Sequence, residues 1–249
     1  MSQENGTLSL EDARLEIGNA WRVLGHYGVV DTIFNHISLA CMSPGGQSNC
    51  FAINPLGVLP TILKAHEVLV LDVSTPDAKD SMRVNPDGLA LHSAIHRRRE
   101  GKATAIVHLH SPYAVAVGSS MNGLLPLSQT ALEFVDEVKY FPYRGLFGMP
   151  GGIDEDLIEH AAVGCVALLR NHGTLVVADS VAEAVYVAYY LEEACRLQVL
   201  ALTAVAGKGA MLVAQDVIGQ TGQRLRETRT MVAKEFFRAS VAMLEELGR

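Results

Sequence analysis

Two histidines, His108 and His110, are the residues of this chain whose type and spacing point most directly to chemistry. Residues 105–109 are apolar apart from His108, a pattern typical of a short buried strand. Because residues two apart on a strand face the same side, the two imidazoles should project together. Pro112 lacks an N–H, so the strand should stop before it. Neutral imidazoles bind zinc, iron and similar ions, so the pair predicts half of a metal site, with ordinary buried histidines as the alternative.

A third ligand must come from elsewhere in the chain, and His172 is the candidate. It follows residues 164–169, which are apolar on both faces and predict a buried strand. Gly173 gives the backbone after it the freedom that a tight turn needs. His172 could therefore complete the metal site, although a turn histidine that only caps a strand fits the same pattern.

Two further histidines, His92 and His96, lie on a predicted helix that opens at Asn85 and runs to about Arg99. Their spacing of four places both on one helical face. A zinc pair of the metalloprotease type would need a glutamate directly after the first histidine, and this chain has a serine there. The pattern favours one histidine lining a cleft and the other packing or hydrogen bonding.

The elements that must position these residues are helices and short strands. Ser9 and Ser180, each with an acidic residue three positions later, predict helix starts. The spacing of the strands favours a mostly antiparallel sheet flanked by helices. Because the chain has no internal repeat or linker, residues 1–249 are expected to form a single domain. The predicted helices span residues 9–26, 85–99, 113–121, 154–162, 180–205 and 221–247, and the predicted extended segments span 30–39, 50–54, 68–73, 105–109, 139–144 and 164–169, with turns at 44–46 and 77–80.

Composition argues against several functional classes. The 249-residue chain is 49% hydrophobic and has a net charge of −7, which does not suit general nucleic-acid binding. It contains no charge-free apolar run long enough to cross a membrane and no apolar leader after Met1, so no membrane partner is expected. Its four cysteines lack the spacing of a disulfide framework, which favours a reducing cytoplasm.

In combination, these motifs resemble the class II aldolase/adducin family. The resemblance is carried first by the His-x-His pair and by Asn171-His172-Gly173 some sixty residues later, followed by a long capped helix. It extends over roughly residues 10–205, with the motifs in the family's order. Four other segments agree with it: Phe34-Asn35-His36-Ile37-Ser38, Asn54-Pro55-Leu56-Gly57, the helix from Gly88 to His96, and Leu125-Pro126-Leu127-Ser128-Gln129.

The resemblance implies a fold, a cofactor and an assembly. The fold would be a three-layer α/β/α arrangement around a central, mostly antiparallel sheet. The cofactor would be one divalent metal ion per subunit, with zinc expected first and manganese, iron or cobalt as alternatives. Homotetramers with sites at subunit interfaces are common in the family, and a homo-oligomer is expected here.

Motif position also implies the roles of individual residues. His108, His110 and His172 would be the three metal ligands, as the residue patterns had suggested independently. Substrate-binding positions correspond to Asn35, Asn54, Gly57 and Gln129.

The chain departs from the sugar-phosphate aldolases of the family at one position. Those enzymes have a glutamate four residues before the helical histidine, where it serves as metal ligand and acid/base group. Counting back four from His92 gives Gly88, and the neighbouring Asp87 should point elsewhere. This departure is similar to the adducin-like bacterial branch and to family decarboxylases that act on hydroxylated aromatic or pyridine carboxylic acids.

The expected function is therefore that of a metal-dependent carbon–carbon lyase. A cation with open positions is a Lewis acid that can stabilise an enolate, and the missing glutamate weakens an aldolase assignment more than a decarboxylase assignment. The expected substrate is a small hydroxylated carboxylic acid. If the enzyme is an aldolase, the expected substrate is a hydroxycarbonyl compound instead. His36, His92 and Tyr143 are the candidates for proton donor or substrate contact, since an imidazole pKa of about 6.5 suits that role.

Three alternatives stay open at this point. The first is a class II aldolase of the sugar-phosphate or pyruvate type that uses another base. The second is a non-catalytic interaction domain like the head of the adducins. The third is an iron-dependent oxygenase, because histidine sites with open positions also suit Fe(II).

Overall fold

The computed structural model describes residues 8–43, 49–74, 80, 82–206 and 208–248. Its described helices are α1 (Leu10–His26), α2 (Pro86–Arg98), α3 (Pro112–Gly118), α4 (Gln129–Leu132), α5 (Glu155–Ala161), α6 (Val181–Ala204) and α7 (Gln215–Glu246). Its described strands are β1 (His36–Cys41), β2 (Cys50–Ile53), β3 (Leu69–Asp72), β4 (Ala105–Leu109), β5 (Lys139–Phe141), β6 (Cys165–Leu169) and β7 (Gly173–Ala178). Two short 3₁₀ turns, Pro60–Ile62 and Ala65–Glu67, precede β3.

These strands form one sheet in the order β3-β2-β1-β4-β7-β6-β5. Every neighbouring pair is antiparallel except β5 and β6, which are parallel. Strand β4 lies at the centre, where His108 pairs with His36 of β1 on one side and with Leu175 of β7 on the other. Two residues that are distant along the chain therefore become direct neighbours of the candidate ligand.

Helices cover both faces of this sheet. Val107 and Leu109 of β4 pack into the larger core, which α1, α3 and α6 close and against which α7 also packs. Ile106 faces the opposite side, where it packs with residues of α2 and α5. Because residues alternate along a strand, His108 lies on the side of Ile106. The three-layer fold with a mostly antiparallel sheet is confirmed.

Most predicted elements are present, with corrections at three places. Residues 173–178 form the strand β7, which was not predicted. A turn of three residues brings the chain back from β6, and β7 pairs with β6 directly. The last helix begins at Gln215 rather than Thr221. The extended segments predicted for 30–39 and 139–144 are strands only over 36–41 and 139–141. The predicted turns at 44–46 and 77–79 lie outside the described residues.

Two predicted helix starts are capped by serine. The Ser9 hydroxyl accepts a hydrogen bond from the Asp12 amide at 3.2 Å, and the Ser180 hydroxyl accepts one from the Glu183 amide at 3.3 Å. Over the described parts of the chain, no helix combines the length and the apolar character that a membrane span requires.

Gly173 is required where β7 begins, and its replacement tests the packing of β7 on β4. A Cβ atom at this position would lie 2.1 Å from the carbonyl oxygen of Leu109, so Gly173→Ala must displace a central strand. We expect the free energy of unfolding to fall by about 3 kcal/mol in denaturant titrations. Gly219→Ala is the control, because an added Cβ meets no atom within 4 Å on α7 and should raise stability by about 0.5–1 kcal/mol. Equal effects of the two substitutions would contradict this account.

Candidate metal centre

Three imidazoles converge at the end of the central strands. His108 is near the end of β4, His110 follows that strand, and His172 is in the turn between β6 and β7. The Nε2 atoms of His108 and His110 are 3.1 Å apart, and those of His110 and His172 are 3.2 Å apart. One ligand atom from each ring lies within 4.8 Å of the others. The structure therefore brings together the three residues that the sequence singled out as ligands.

The outer nitrogens of two of these rings determine where their protons are. His108 Nδ1 lies 2.8 Å from the carbonyl oxygen of Thr174, and His110 Nδ1 lies 3.0 Å from a carboxylate oxygen of Asp31. Carbonyl and carboxylate oxygens only accept, so each Nδ1 carries the hydrogen. In the neutral rings each Nε2 then presents a lone pair, and the two lone pairs face each other.

Burial favours the neutral form of His108 and of His172. It lowers the pKa of His108 well below the usual value, and the neighbouring rings of His36, His172 and His110 lower it further. Burial, together with His110, lowers the pKa of His172 to about 4. Neutral imidazole is the form that binds a metal ion.

The spacing of the nitrogens suits a divalent cation. Zinc–nitrogen bonds of about 2.0–2.1 Å place two ligand nitrogens roughly 2.9–3.4 Å apart, depending on the angle at the metal. The separations of 3.1 and 3.2 Å fall in this interval. The three ligand atoms all lie within 4.8 Å of one another, so the rings of His108 and His172 would have to move slightly closer together around a bound ion. A cation would relieve the repulsion between lone pairs, so the residues fit the metal that the sequence predicts, without deciding between zinc, manganese, iron and cobalt.

The loop before β1 orients His110. The side-chain oxygen of Asn35 accepts from the amides of Asp31 at 3.1 Å and His110 at 3.4 Å, and its NH₂ group donates to the Asp31 carboxylate. Asn54 accepts from the Ile37 amide at 2.8 Å and donates to the Asn35 carbonyl at 3.2 Å. Asn35 and Asn54 thus support the loop behind His110, and their predicted contact with substrate stays a prediction.

The turn that carries His172 is sterically constrained. Asn171 has a φ of 59°, in the left-handed region, and Gly173 is held against the backbone of Leu109. Phe147 packs against His172, with ring centroids 5.1 Å apart, and against His108 at 5.6 Å. These contacts limit the movement of the third ligand and shield one side of the centre from water.

A second group of buried polar residues adjoins the three histidines. The ring of His36 stacks on that of His108, with centroids 4.8 Å apart. His36 Nδ1 is hydrogen bonded to His92 Nε2 at 2.8 Å, and His92 Nδ1 is bonded to the Ser38 hydroxyl at 2.6 Å. The same hydroxyl is bonded to His96 Nε2 at 2.8 Å. We call His36, His92, Ser38 and His96 the buried array.

Gly88 explains how the ring of His36 fits beside α2. A Cβ atom at residue 88 would lie 2.8 Å from Cδ2 and 2.9 Å from Cγ of His36. The imidazole therefore fills the space that a side chain at this position would need. The neighbouring Asp87 accepts a hydrogen bond from the Gly148 amide at 2.8 Å, and its negative charge raises the pKa of His172 against the effect of burial.

The other predicted site residues lie farther out. Tyr143 is 51% exposed, and its ring centroid is 5.7 Å from that of His172. Gly57 is in an exposed turn with a φ of 87°, and Gln129 is exposed at the first position of α4. Of these three residues, only Tyr143 has a described contact with the metal-site histidines.

Sequence reasoning missed three side chains of this region. Asp31 and Phe147 contact the histidines only because distant loops fold over them, and no local pattern identifies either residue. Ser38 could have been identified from the sequence, because it is two residues after His36 on a strand and must share the face of His36.

The buried array should make stability depend on pH. Burial lowers the pKa of His96 to about 3, against 6.5 in an unfolded chain, so acid favours the unfolded state. In metal-free protein, the stability that neutral His96 contributes should be complete above pH 6.5 and decrease as the pH falls toward 3. His96→Gln should make the pH dependence of the unfolding free energy shallower by about 1.4 kcal/mol per pH unit between pH 6 and 4. Urea titrations at several pH values measure this, and identical slopes would refute it.

Comparison with known proteins identifies the family that this chain resembles. Residues 16–199 match the model of the class II aldolase and adducin N-terminal domain. The chain is 34% identical over 205 residues to a Caulobacter vibrioides protein assigned to aldolase class 2, covering 82% of this chain and 77% of that one. It is 29% identical to alpha-adducin of Rattus norvegicus over 94% of this chain but only 33% of the adducin.

Solved structures agree with this assignment. An aldolase II superfamily protein of Pseudomonas syringae superposes with a TM-score of 0.80 at 27% identity, covering 100% of this chain and 96% of the other. An L-fuculose 1-phosphate aldolase of Glaciozyma antarctica shares the fold with a TM-score of 0.72 at 20% identity, over 95% and 91% of the two chains. The family match covers most of the chain, including all three converging histidines, and this protein therefore belongs to the class II aldolase/adducin family.

Proposed function

We propose that this protein is a divalent-metal-dependent carbon–carbon lyase that decarboxylates a small hydroxylated aromatic or heteroaromatic carboxylic acid. The observation that carries the proposal is the convergence of three imidazoles, two of which have Nδ1 at hydrogen-bond distance from an oxygen acceptor. Membership of a lyase-containing family supports the reaction class, and the absence of a carboxylate at Gly88 supports decarboxylation within it.

In this proposal His108, His110 and His172 hold the metal ion. When bound, the cation supplies Lewis acidity to oxygen atoms of the substrate. Thr174 and Asp31 keep two of the rings in the tautomer and orientation that binding needs. Such outer partners change metal affinity nearly as strongly as the ligands do.

The acid/base requirement favours decarboxylation over aldol cleavage. Aldol cleavage needs a base that removes a hydroxyl proton, and in the aldolases of the family that base is the glutamate that Gly88 replaces. Decarboxylation needs a proton for the carbon that carbon dioxide leaves. His36, stacked on His108, is the ring best placed to donate it. Tyr143 is a second candidate for contact with substrate, whereas His92, with 0% exposure behind His36, acts as a positioning residue.

Two alternatives have specific support. A class II aldolase with another base is supported by the shared fold of the L-fuculose 1-phosphate aldolase. A non-catalytic interaction domain is supported by the similarity to alpha-adducin, although the three converging rings favour a metal-dependent role. The homo-oligomeric state and the cytoplasmic location stay predictions.

Metal binding can be tested before any substrate is known. Zinc-loaded protein should contain one ion per chain by elemental analysis, and His108→Ala or His172→Ala should abolish binding. Asp31→Asn should weaken zinc affinity about 10–100-fold, because it removes the charge that orients His110. His160→Ala, an exposed ring on α5, is the matched control and should bind like the parent. Parent protein without stoichiometric zinc would overturn the proposal.

The reaction is tested by carbon dioxide release. Metal-loaded protein should release carbon dioxide from at least one member of a panel of hydroxybenzoates and hydroxypyridine carboxylates, and should not do so after chelation. His36→Gln should lower kcat about 100-fold or more, as expected for loss of a general acid. The same acids without the ring hydroxyl are the control substrates. Cleavage or condensation of aldehydes with dihydroxyacetone phosphate or pyruvate, with no carbon dioxide from any acid, would favour the aldolase instead.

A further inference from the structure

We propose that the buried array is a proton relay that resupplies His36 from a crevice at the C-terminal end of α2. The array runs His36–His92–Ser38–His96 through three hydrogen bonds of 2.8, 2.6 and 2.8 Å. The proposal deepens the proposed function, since it names the source of the proton that decarboxylation consumes. It rests on the arrangement of these four residues and on Gly88.

The position of His36 shows why a relay is needed. Its ring occupies the space of a side chain at residue 88, so no carboxylate from α2 can approach from there. The ring is 2% exposed and stacks on His108, so water has little access to it. A buried proton donor that loses its proton in each turnover must recover it through neighbouring groups.

The chemistry of the four groups allows proton transfer in both directions. Each imidazole has one nitrogen that can donate and one that can accept, and a hydroxyl can do both at once. In one arrangement protons point from His96 toward His36, and His36 presents an N–H at Nε2. In the other arrangement, the proton of each hydrogen bond lies on the second of its two partners, and His36 presents a lone pair at Nε2. All rings are neutral in both arrangements, so neither places a charge in the dry interior.

The far end of the array lies beside a small crevice. Ser38 and His92 are both 0% exposed, whereas His96 is 4% exposed and lines a small crevice with Asn49 and Glu100. The ring of His96 is held in place by stacking on Phe51, with centroids 4.6 Å apart and nearly parallel planes. The outer end of the array therefore lies at a crevice that none of the three metal-site histidines lines.

The proton balance of one turnover is complete. When the carbon–carboxyl bond breaks, its electron pair stays on the substrate carbon, and His36 Nε2–H protonates that carbon. His36 Nδ1 then takes the proton of His92, His92 Nδ1 takes that of Ser38, and Ser38 takes that of His96. Water in the crevice protonates His96 Nδ1, so one solvent proton enters for each proton delivered. The next substrate restores the starting arrangement. Its ring hydroxyl gives a proton to His36 Nε2, the same shifts run backwards along the array, and His96 Nδ1 returns one proton to water in the crevice. The product oxygen takes a proton from solvent when the product leaves.

Ring tautomers in zinc-loaded protein test the relay without a substrate. Long-range ¹H–¹⁵N spectra distinguish protonated from unprotonated imidazole nitrogens. We expect both nitrogens of His36 to show shifts averaged between the two forms. Ser38→Ala removes the central hydroxyl and should lock His36 into one tautomer, while Ser38→Thr, which keeps a hydroxyl, should retain the averaging.

Ser93 provides the matched control. It is also buried and lies on α2, but its hydroxyl has no hydrogen-bond partner within the described residues, so Ser93→Ala should leave the His36 shifts unchanged. If Ser38→Ala does not fold, His96→Gln interrupts the same path at its outer end and should lock His36 in the same way. A single His36 tautomer in the parent, or averaging that survives both Ser38→Ala and His96→Gln, would overturn the relay.

The same spectra separate this proposal from the proposed function. Zinc binding by Ser38→Ala should equal that of the parent, because Ser38 does not contact the three ligands. Failure of the parent to bind zinc would overturn the proposed function, while tautomer averaging in the metal-free protein would still support the relay. Bound zinc together with a single, fixed His36 tautomer would support the proposed function and overturn the relay.

Discussion

Two hydrogen bonds on the outer sides of histidine rings determine the chemistry at the centre of this molecule. A backbone carbonyl holds the proton of His108 on Nδ1, and the carboxylate of Asp31 does the same for His110. Both rings are thereby left with lone pairs that face each other at 3.1 Å. Without these two acceptors the rings could share protons among themselves, and their convergence would imply nothing about a cation.

The fold supplies each acceptor from a different neighbour of the central strand. β7 brings the Thr174 carbonyl alongside His108, while the loop before β1 brings Asp31 to His110. The close approach of Gly173 to Leu109 joins these strands where the third ligand must turn inward. On the other side, β1 and α2 pack so closely that either a ring at 36 or a side chain at 88 can be present, but not both. This exclusion leaves no space at residue 88 for a glutamate side chain while the ring of His36 is in place.

The sequence predicted the local part of this arrangement and not the tertiary part. Strand periodicity placed His108 and His110 on one face, and the count from His92 located the missing glutamate at Gly88. Neither could reveal that His36 fills the vacated space, because this contact joins a strand and a helix fifty residues apart in the chain. Asp31 had no pattern to identify it, and β7 was missed because it follows β6 after a turn of only three residues. Asn35 was recognised by its motif, but its observed bonds to Asp31 and His110 depend on the folded loop.

The central claim is that one cation joins the three converging rings. Anomalous diffraction from crystals of the zinc-loaded protein, recorded on both sides of the zinc absorption edge, tests it most directly. The account predicts one strong peak per chain, about 2.0–2.1 Å from the Nε2 atoms of His108, His110 and His172. A peak elsewhere, or none among these rings at full zinc loading, would contradict it.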